Sequence, residues 1–498
     1  MTAGPPFILT LDIGTSSTRA MLFDCQAKAV PGCLAQVAYR LRTSPVGAAE
    51  FDPPELFAAV VEVIDQLLRQ AGSQASQIDG VAIDTLVTNI MGVDASGQPT
   101  TPSYTFADTR NAADAQQLRE QLGTRGVRQT HNRTGCFVHS AYLPARFQWL
   151  ARTRPELLTA TTRWVSIGEY VLWRLLGHWR VSYSVAAWTG LLNRHQLVWD
   201  PDWLSALPIA EDQLSPLVDV DQPLVGLKDE WAARWPTLKE VPWFPAIGDG
   251  AAANIGSGCG SPEHLALTIG TTGAMRVVLP AEVASVPAGL WLYWVDRRRA
   301  LLGGATTEGG NLFAWLSETL RLPSPAEVEL ELQEMAPVSH GLTVLPFLAG
   351  ERAPGWHDDA KASLIGLTIN TRPIDILRAA LESVAYRFAL IYRLIGPHLP
   401  QETEHQVIAS GGGLLSSPAW LQIMADVLGR PILTLAEKEA TSRGVALLAL
   451  EALGTIEDTT NLPPSIGHSY KPNRLHHQQY QAAMGAQLEY YELLIEKD

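Results

Sequence analysis

The chain has 498 residues, of which 46% are hydrophobic and 18% charged, and a formal net charge of −14 at pH 7. This apolar content excludes a disordered chain, and the negative charge argues against nucleic acid as a partner, since phosphate backbones require a basic surface. Single cores usually stop growing at about 250–300 residues, so the length predicts two domains.

The cysteines and the N-terminal segment indicate where the protein works. The four cysteines, Cys25, Cys33, Cys136 and Cys259, form no CxxC pair, which favours a reducing compartment over a disulfide framework. Residues 1–14 lack the basic start and long apolar core of a signal peptide, and no run approaches the roughly 20 apolar residues of a membrane helix. We expect a cytoplasmic protein without a membrane partner. Its oligomeric state stays open, with a homodimer among the alternatives.

The first half of the chain alternates short apolar runs with turns and one amphipathic run. The apolar runs predict strands, and helical apolar spacing predicts a helix, which together indicate an α/β fold. The predicted strands are 7–13, 19–24 and 80–84, and the predicted helix is 54–71. Residues 199–245 are rich in Pro, Trp and acidic residues and contain no long periodic element. We therefore end the first domain at residue 246, which gives domains 1–246 and 247–498.

The second half begins like the first. Residues 265–271 (LALTIGT) restate residues 9–15 (LTLDIGT), about half the chain away, which indicates an internal duplication. Helices are predicted further on where Pro stands at the start and Gly near the end. The predicted helices are 312–320, 373–396 and 418–429, and a strand over 407–410 runs into three glycines.

The first candidate site is the turn between the two N-terminal strands. It places Asp12 near the end of a strand and follows it with Gly14 and the hydroxyl residues Thr15, Ser16 and Ser17. The glycine lets the turn tighten so that N–H groups and hydroxyls face one concavity, which can hold phosphate. A carboxylate such as Asp12 can hold Mg²⁺, which keeps several of its waters. The alternative is an ordinary hairpin turn.

Two later loops have a related composition. Residues 270–272 repeat the glycine and hydroxyl pattern, with Thr268 at the position of Asp12. Residues 411–413 are glycines, which allow a flat group such as adenine to approach the backbone. One loop with a carboxylate and one without suit a nucleotide held across two domains, although each loop alone fits a plain turn.

Asp249 stands between two glycines, ahead of a run of small residues that predicts a helix. Phosphoryl transfer to a hydroxyl needs one carboxylate that orients and deprotonates that hydroxyl. The alternative role is a helix N-cap, which the spacing alone favours. Asp84 and Asp108 are the next candidates for the base.

In this order the motifs resemble those of the FGGY carbohydrate kinases, which include glycerol, xylulose, ribulose, fuculose and gluconate kinases. The resemblance runs from residue 7 to about 453. The C-terminal signature of the family is matched over 362–382, and the N-terminal one over 142–150, where Arg146 replaces the usual lysine. The resemblance implies two actin-like (ribonuclease H-like) α/β ATPase domains with a nucleotide cleft between them. It also implies transfer of the γ-phosphoryl group of ATP, with Mg²⁺, to a hydroxyl of a small sugar, polyol or sugar acid.

The resemblance also assigns roles to individual residues. Asp12 corresponds to the metal-associated aspartate of the first phosphate loop, and Asp249 to the catalytic base, which also contacts the acceptor. The residues expected at the ATP site, from the loops and the resemblance together, are Gly14, Thr15, Ser16, Ser17, Gly270, Thr271, Thr272, Gly310, Gly412, Gly413 and Ser417.

Within the family, the pattern most resembles gluconate kinases, over the segments 182–200, 247–259, 270–276, 303–316 and 350–354. There are departures. Thr88 lies in the segment where gluconate and xylulose kinases commonly carry histidine, and Phe106 replaces a usual tryptophan. A site built for one hydroxyl pattern discriminates against another, so a ketopentose such as xylulose or ribulose is the alternative acceptor.

The candidate acceptor contacts are Thr88, Asp108, Arg110, His139, Tyr142 and Asp249. A guanidinium such as Arg110 suits the carboxylate of an aldonate, but an ion pair with Asp108 or Asp114 explains it equally well. For His139, the alternative is a hydrogen-bonded core histidine. A nucleotide-dependent switch on the same fold is a rival function. It would need no acceptor base, and Asp249 argues against it.

Overall fold

The apolar run at the start of the chain forms a buried strand, and the Gly/Ser turn after it leads into an antiparallel partner. The computed structural model describes residues 4–400 and 405–496, so the first three residues of the N-terminal segment lie outside the description. The strands of the N-terminal half are β1 (Phe7–Ile13), β2 (Ser17–Phe23), β3 (Ala29–Ala38), β4 (Arg42–Thr43), β5 (Ala49–Phe51), β6 (Ile78–Thr85), β7 (Met91–Val93), β8 (Ser103–Tyr104), β9 (Arg163–Val165), β10 (Val181–Ser182), β11 (Leu192–Asn193), β12 (Val198–Trp199), β13 (Leu217–Val218) and β14 (Ile247–Gly248). The helices are α1 (Pro53–Ala71), α2 (Ala112–Thr134), α3 (Leu143–Thr153), α4 (Pro155–Ala160), α5 (Ile167–Leu176), α6 (Tyr183–Ala187), α7 (Pro201–Ala206), α8 (Asp229–Arg234) and α9 (Asp249–Gly256).

The central sheet of this half has the order β14-β6-β1-β2-β3. β1 runs parallel to β6, β6 runs parallel to β14, and β2 and β3 complete an antiparallel edge. The register pairs Asp12 with Asp84 and Gly248 with Thr85. The carboxyl ends of three parallel strands therefore meet at one edge of the sheet, where ligands bind in open α/β sheets.

The C-terminal half is built on a second sheet, with the order β17-β18-β16-β15-β21-β22-β23. Its strands are β15 (His264–Ile269), β16 (Gly273–Pro280), β17 (Trp291–Asp296), β18 (Arg299–Thr306), β19 (Thr343–Leu345), β20 (Ser363–Ile365), β21 (Gln406–Ser410), β22 (Ile432–Leu435) and β23 (Ile466–Tyr470). Its helices are α10 (Gly310–Thr319), α11 (Pro325–Glu334), α12 (Pro373–Ile395), α13 (Gly412–Leu415), α14 (Pro418–Leu428), α15 (Ala440–Ala452) and α16 (Arg474–Leu494).

The two sheets share one topology, which confirms the internal duplication. β15 is antiparallel to β16 and parallel to β21, just as β1 is antiparallel to β2 and parallel to β6. The order β22-β21-β15-β16-β18 thus restates β14-β6-β1-β2-β3. Both halves have the actin-like α/β architecture that the sequence predicts.

Two helices with small residues at their crossing point join the two halves of the chain. α9 packs closely on α15, and α15 also packs on β1 and β6 of the first sheet. A side chain at Gly444 would collide with the carbonyl oxygen of Ala252, and one at Gly256 with that of Ala440. Only glycine fits at this crossing, so the two backbones touch directly. β14, at residues 247–248, lies in the first sheet, and β15 lies in the second. The division of the chain at residue 246 stays a prediction.

Most predicted elements form within a residue or two of their expected bounds. β2 starts two residues earlier than predicted because Ser17 and Thr18 pair with β3. The two helices within 199–245 have only six residues each, as the lack of periodicity predicts. All four cysteines lie in the described part of the chain and are free thiols. No described helix has the length and apolar character to cross a membrane.

Candidate functional site

Three carboxylates gather at the edge where β1, β6 and β14 end. Asp12 and Asp84 are paired neighbours on β1 and β6, and Asp249 directly follows β14 as the first residue of α9. Asp84, only a reserve candidate from the sequence, therefore belongs to the same cluster. In the sequence, the only signal for Asp84 was that the strand GVAID ends in aspartate, as LTLD does. The register between β1 and β6 was needed to place Asp12 and Asp84 side by side.

The environment of these carboxylates disfavours their negative charge. Both oxygens of Asp84 are buried, with no hydrogen-bond donor among the described residues. Burial, followed by the charge of Asp12, raises the pKa of Asp84 well above its ordinary value. Burial also raises the pKa of Asp12, against the lowering effect of Arg19. The buried Asp84 carboxylate, with no donor among the described residues and Asp12 beside it, fits the approach of a cation.

Asp249 faces the cleft from the start of α9. Gly248 occupies the N-cap position, and the Oδ1 of Asp249 accepts a hydrogen bond from the N–H of Gly250 at 2.7 Å. Burial raises the pKa of Asp249 from 3.8 to about 6, although the Gly250 N–H and the charge of Arg276 lower it. The group is therefore mostly ionised at neutral pH and still basic enough to accept a proton.

The loops predicted to hold the nucleotide in the C-terminal half are in direct contact. The N–H of Gly310 donates to the carbonyl of Gly270 at 2.8 Å, and the N–H of Asn311 to that of Thr271 at 3.0 Å. A Cβ at Gly413 would lie 2.7 Å from the Gly270 carbonyl oxygen, so the backbones nearly touch. In contrast, a Cβ at Gly270 or at Gly412 would meet nothing within 4 Å, since both point into open space.

The first loop is a tight turn. The N–H of Gly14 donates to the carbonyl of Ser17 at 3.1 Å, and the hydroxyl of Tyr39 donates to the carbonyl of Gly14 at 2.6 Å. Thr15 and Ser16 are exposed at its tip, while Ser17 is buried and accepts from Gln36. The turn is a hairpin, and its exposed hydroxyls and N–H groups leave it able to contact phosphate.

One cavity of about 470 Å³ brings several predicted residues together. The predicted residues that line it are Thr88, Tyr142, Asp249, Gly270, Thr271 and Thr272. Thr88 has a φ of 55°, a left-handed conformation that is strained for a β-branched residue and recurs at functional sites. The second phosphate loop, the candidate base and two candidate acceptor contacts therefore share one space.

Other predicted acceptor contacts lie outside this lining and have protein partners. The guanidinium of Arg110 binds the carboxylate of Asp108 and that of Glu50, the latter at 2.7 Å. Asp108 is fully buried and also pairs with Arg146 at 3.1 Å. Of the two partners weighed for Arg110, the structure has Asp108, because Asp114 binds Arg152 instead. The structure therefore has Arg110 in an ion pair, the alternative to its role as an acceptor contact.

His139 and Ser417 are likewise engaged elsewhere. The Nε2 of His139 lies 2.6 Å from a carboxylate oxygen of Asp358, in a separate cavity of about 760 Å³ beside Trp356. Ser417 is the N-cap of α14, accepts from the N–H of Trp420 and donates to Glu329 at 2.7 Å. Neither side chain is free to bind a ligand in this arrangement.

The lining also contains residues that the sequence did not single out. Trp188 stacks on Tyr293 with ring centroids 3.7 Å apart, and the hydroxyls of Tyr293 and Tyr142 lie 2.6 Å apart. Arg276 and Arg352 complete the C-terminal side of the cavity. Trp188, Arg276 and Arg352 lie in segments that resemble those of gluconate kinases, but only the tertiary structure shows that they share a site with Tyr293.

Sequence comparison matches residues 7–256 to the N-terminal domain and residues 265–453 to the C-terminal domain of the FGGY family of carbohydrate kinases. The chain belongs to this family. It is therefore an ATP-dependent phosphotransferase with a hydroxyl acceptor, and the predicted family, fold and enzyme class are confirmed.

Individual relatives of this FGGY kinase differ in their named substrates. It is 27% identical over 476 residues to the gluconokinase of Bacillus subtilis (strain 168), covering 93% of this chain and 91% of that protein. A gluconate kinase from Lactobacillus acidophilus superposes with a TM-score of 0.90 at 27% identity, covering 98% of both chains. A ligand-bound xylulose kinase from the same organism gives the same values.

Proposed function

We propose that this FGGY kinase transfers the γ-phosphoryl group of ATP to a hydroxyl of gluconate or a related aldonate. The observation that carries the proposal is the shared cavity, in which Asp249 and the Gly270–Thr272 loop lie together with Thr88 and Tyr142. A phosphoryl group held at the loop and a hydroxyl held at Asp249 would be neighbours there, which is the positioning that phosphoryl transfer requires.

Asp249 acts as the base in this proposal. The Gly250 N–H fixes one of its oxygens, so the carboxylate is oriented before the acceptor arrives. The acceptor hydroxyl gives its proton to Asp249 while its oxygen forms a bond to the γ-phosphorus. The bond between that phosphorus and the β,γ-bridging oxygen breaks, and ADP leaves with the bond electrons.

The nucleotide lies between the two halves. The N–H and hydroxyl groups of 14–17 and 270–272 bind its phosphates, and the glycines 310, 412 and 413 admit the adenosine. Asp12 and Asp84 would hold Mg²⁺, in line with the two buried Asp84 oxygens that have no donor among the described residues. When bound, the ion offsets negative charge on the β- and γ-phosphates. Among the described residues, no three His, Cys, Asp or Glu side chains are placed to hold a metal ion together.

The proposal of an aldonate rests on the relatives named for gluconate, one by sequence and one by structure. A ketopentose is the second candidate, because a xylulose kinase superposes equally well. An ATP-consumption screen over gluconate, other aldonates, xylulose, ribulose and glycerol tests the choice. We expect the highest kcat/KM with an aldonate, and a ketopentose with the highest value would overturn the proposal.

A further inference from the structure

Two arginines on the C-terminal side of the cavity have no anionic partner in the part of the chain that the structure describes. Arg276, on β16, and Arg352, in the loop after β19, both line the cavity. The Nε of Arg276 is buried and has no acceptor among the described residues. Arg352 forms no ion pair within the described ranges, and its guanidinium lies 5.9 Å from the ring of Trp356.

The acids next to these arginines in sequence and space are not available to them. Glu351 binds Arg387 and the hydroxyl of Tyr491. Asp358 binds His139. Asp249 acts on Arg276 electrostatically but does not form an ion pair with it. Two cations therefore remain at the cavity wall without a counter-ion among residues 4–400 and 405–496.

Elsewhere several arginines form ion pairs with carboxylates. Arg299 binds Asp296 and Glu451, and Arg378 binds Glu382 at 2.6 Å. The pairing of Arg110 with Asp108 and Glu50 follows the same pattern. A guanidinium that faces a cavity without a carboxylate partner is able to bind an anionic ligand there.

The two arginines lie where an acceptor would lie. The Nε of Arg276 is 3.7 Å from the position of a Cβ at Gly250, which places it beside the base Asp249. Burial lowers the pKa of Arg276, the negative charge of Asp249 opposes this change, and the positive charge of Arg352 adds to it. A sugar acid bound in this cavity would share it with both guanidiniums.

We propose that Arg276 and Arg352 form a carboxylate subsite that selects sugar acids over neutral sugars and polyols. The inference rests on the proposed function, since it assigns the acceptor class of the same cavity. Guanidinium groups bind carboxylates through paired, charge-assisted hydrogen bonds, which neutral hydroxyls cannot match. The role first considered for Arg110 thus falls to residues of the other half of the chain.

The test compares gluconate with glucitol, which has the same carbon chain without the carboxylate. Calorimetric titration measures the binding of each to the full-length wild type and to the variants Arg276→Gln, Arg276→Lys and Arg352→Gln. Arg372→Gln, at the exposed start of α12, is the control. A parallel assay measures the KM for ATP and for the acceptor.

We expect wild type to bind gluconate more tightly than glucitol. Arg276→Gln should weaken gluconate binding by about 10- to 150-fold, the usual range for a hydrogen bond to a charged group, with glucitol binding and the KM for ATP unchanged. Arg276→Lys should restore part of the loss, and Arg372→Gln should change nothing. If Arg276→Gln does not fold, the preference of wild type for gluconate over glucitol and the Arg352→Gln variant still test the proposal.

Three binding results would overturn the subsite. They are equal wild-type affinity for gluconate and glucitol, unchanged gluconate binding in both glutamine variants, or a larger loss for ATP than for gluconate, which would make these arginines phosphate ligands. Phosphorylation of xylulose alone, unaffected by the variants, refutes the subsite and leaves the kinase. Arg276-dependent gluconate binding without any phosphorylation supports the subsite and refutes the proposed reaction.

Discussion

Replacing Asp249 with asparagine should separate catalysis from folding. The asparagine oxygen can still accept the Gly250 N–H, which Asp249 accepts at 2.7 Å. The rise of the Asp249 pKa from 3.8 to about 6 means that its ionised form costs the folded state about 3 kcal/mol, at about 1.4 kcal/mol per pKa unit. Because the folded pKa is raised, this cost is absent at low pH, grows between about pH 4 and 6, and is complete above pH 6. The variant should therefore keep or slightly raise its melting temperature at neutral pH.

The same substitution should lower the catalytic rate, although it does not lower the stability of the fold. An amide cannot accept the hydroxyl proton, and loss of a general base costs about 10²- to 10⁴-fold in rate, or about 2.7–5.4 kcal/mol of activation energy. A loose transition state would put the loss near the lower end. In wild type, kcat/KM should fall about tenfold for each pH unit below about 6, and the Asp249→Asn variant should lack this limb.

The assay measures ADP release over pH 5–8 beside thermal unfolding and ATP binding. Reduced kcat with intact folding and ATP affinity is the expected result. Near-normal kcat in a folded Asp249→Asn protein would refute the reasoning. The base would then be sought at Asp84, because Asp108 is held between Arg110 and Arg146.

Two further substitutions test the nucleotide and metal sites. Gly270→Val should fold, since its Cβ enters open space, and should weaken ATP binding at least tenfold by occupying the phosphate loop. Gly485→Val, equally open but on α16, is the matched control, and unchanged ATP affinity in Gly270→Val would remove this loop from the site. Asp84→Asn should melt no lower than wild type and raise the Mg²⁺ concentration for half-maximal activity by about 10- to 100-fold. An unchanged Mg²⁺ titration would exclude Asp84 from the metal site.

Local patterns made the strands, the helices and the repeat predictable. β1 is a continuous apolar run, and α12 begins at a proline and ends before a glycine, so short-range rules suffice. The duplication was visible because the same seven-residue pattern precedes both hairpins. Asp249 shows where such rules end. The spacing favoured an N-cap, but Gly248 takes that position and Asp249 turns to the cavity.

The remaining site residues depend on contacts between distant segments. Asp84 joins Asp12 only through the register of β1 and β6, which lie some 70 residues apart. The sequence left open whether Arg110 is free or ion-paired. The structure pairs it with Asp108 and with Glu50 on β5. Arg276 ends the segment 270–276, and its lack of a carboxylate partner among the described residues becomes visible only in the tertiary structure.

The choice of acceptor is the central claim, and a competition assay tests it most directly. Equal concentrations of gluconate and xylulose are supplied together with limiting ATP and Mg²⁺, and the two phosphorylated products are quantified by mass spectrometry. Their ratio at early times equals the ratio of the two kcat/KM values. The account predicts phosphogluconate in at least tenfold excess in wild type, with the excess lost in Arg276→Gln. An excess of xylulose phosphate in wild type would contradict it.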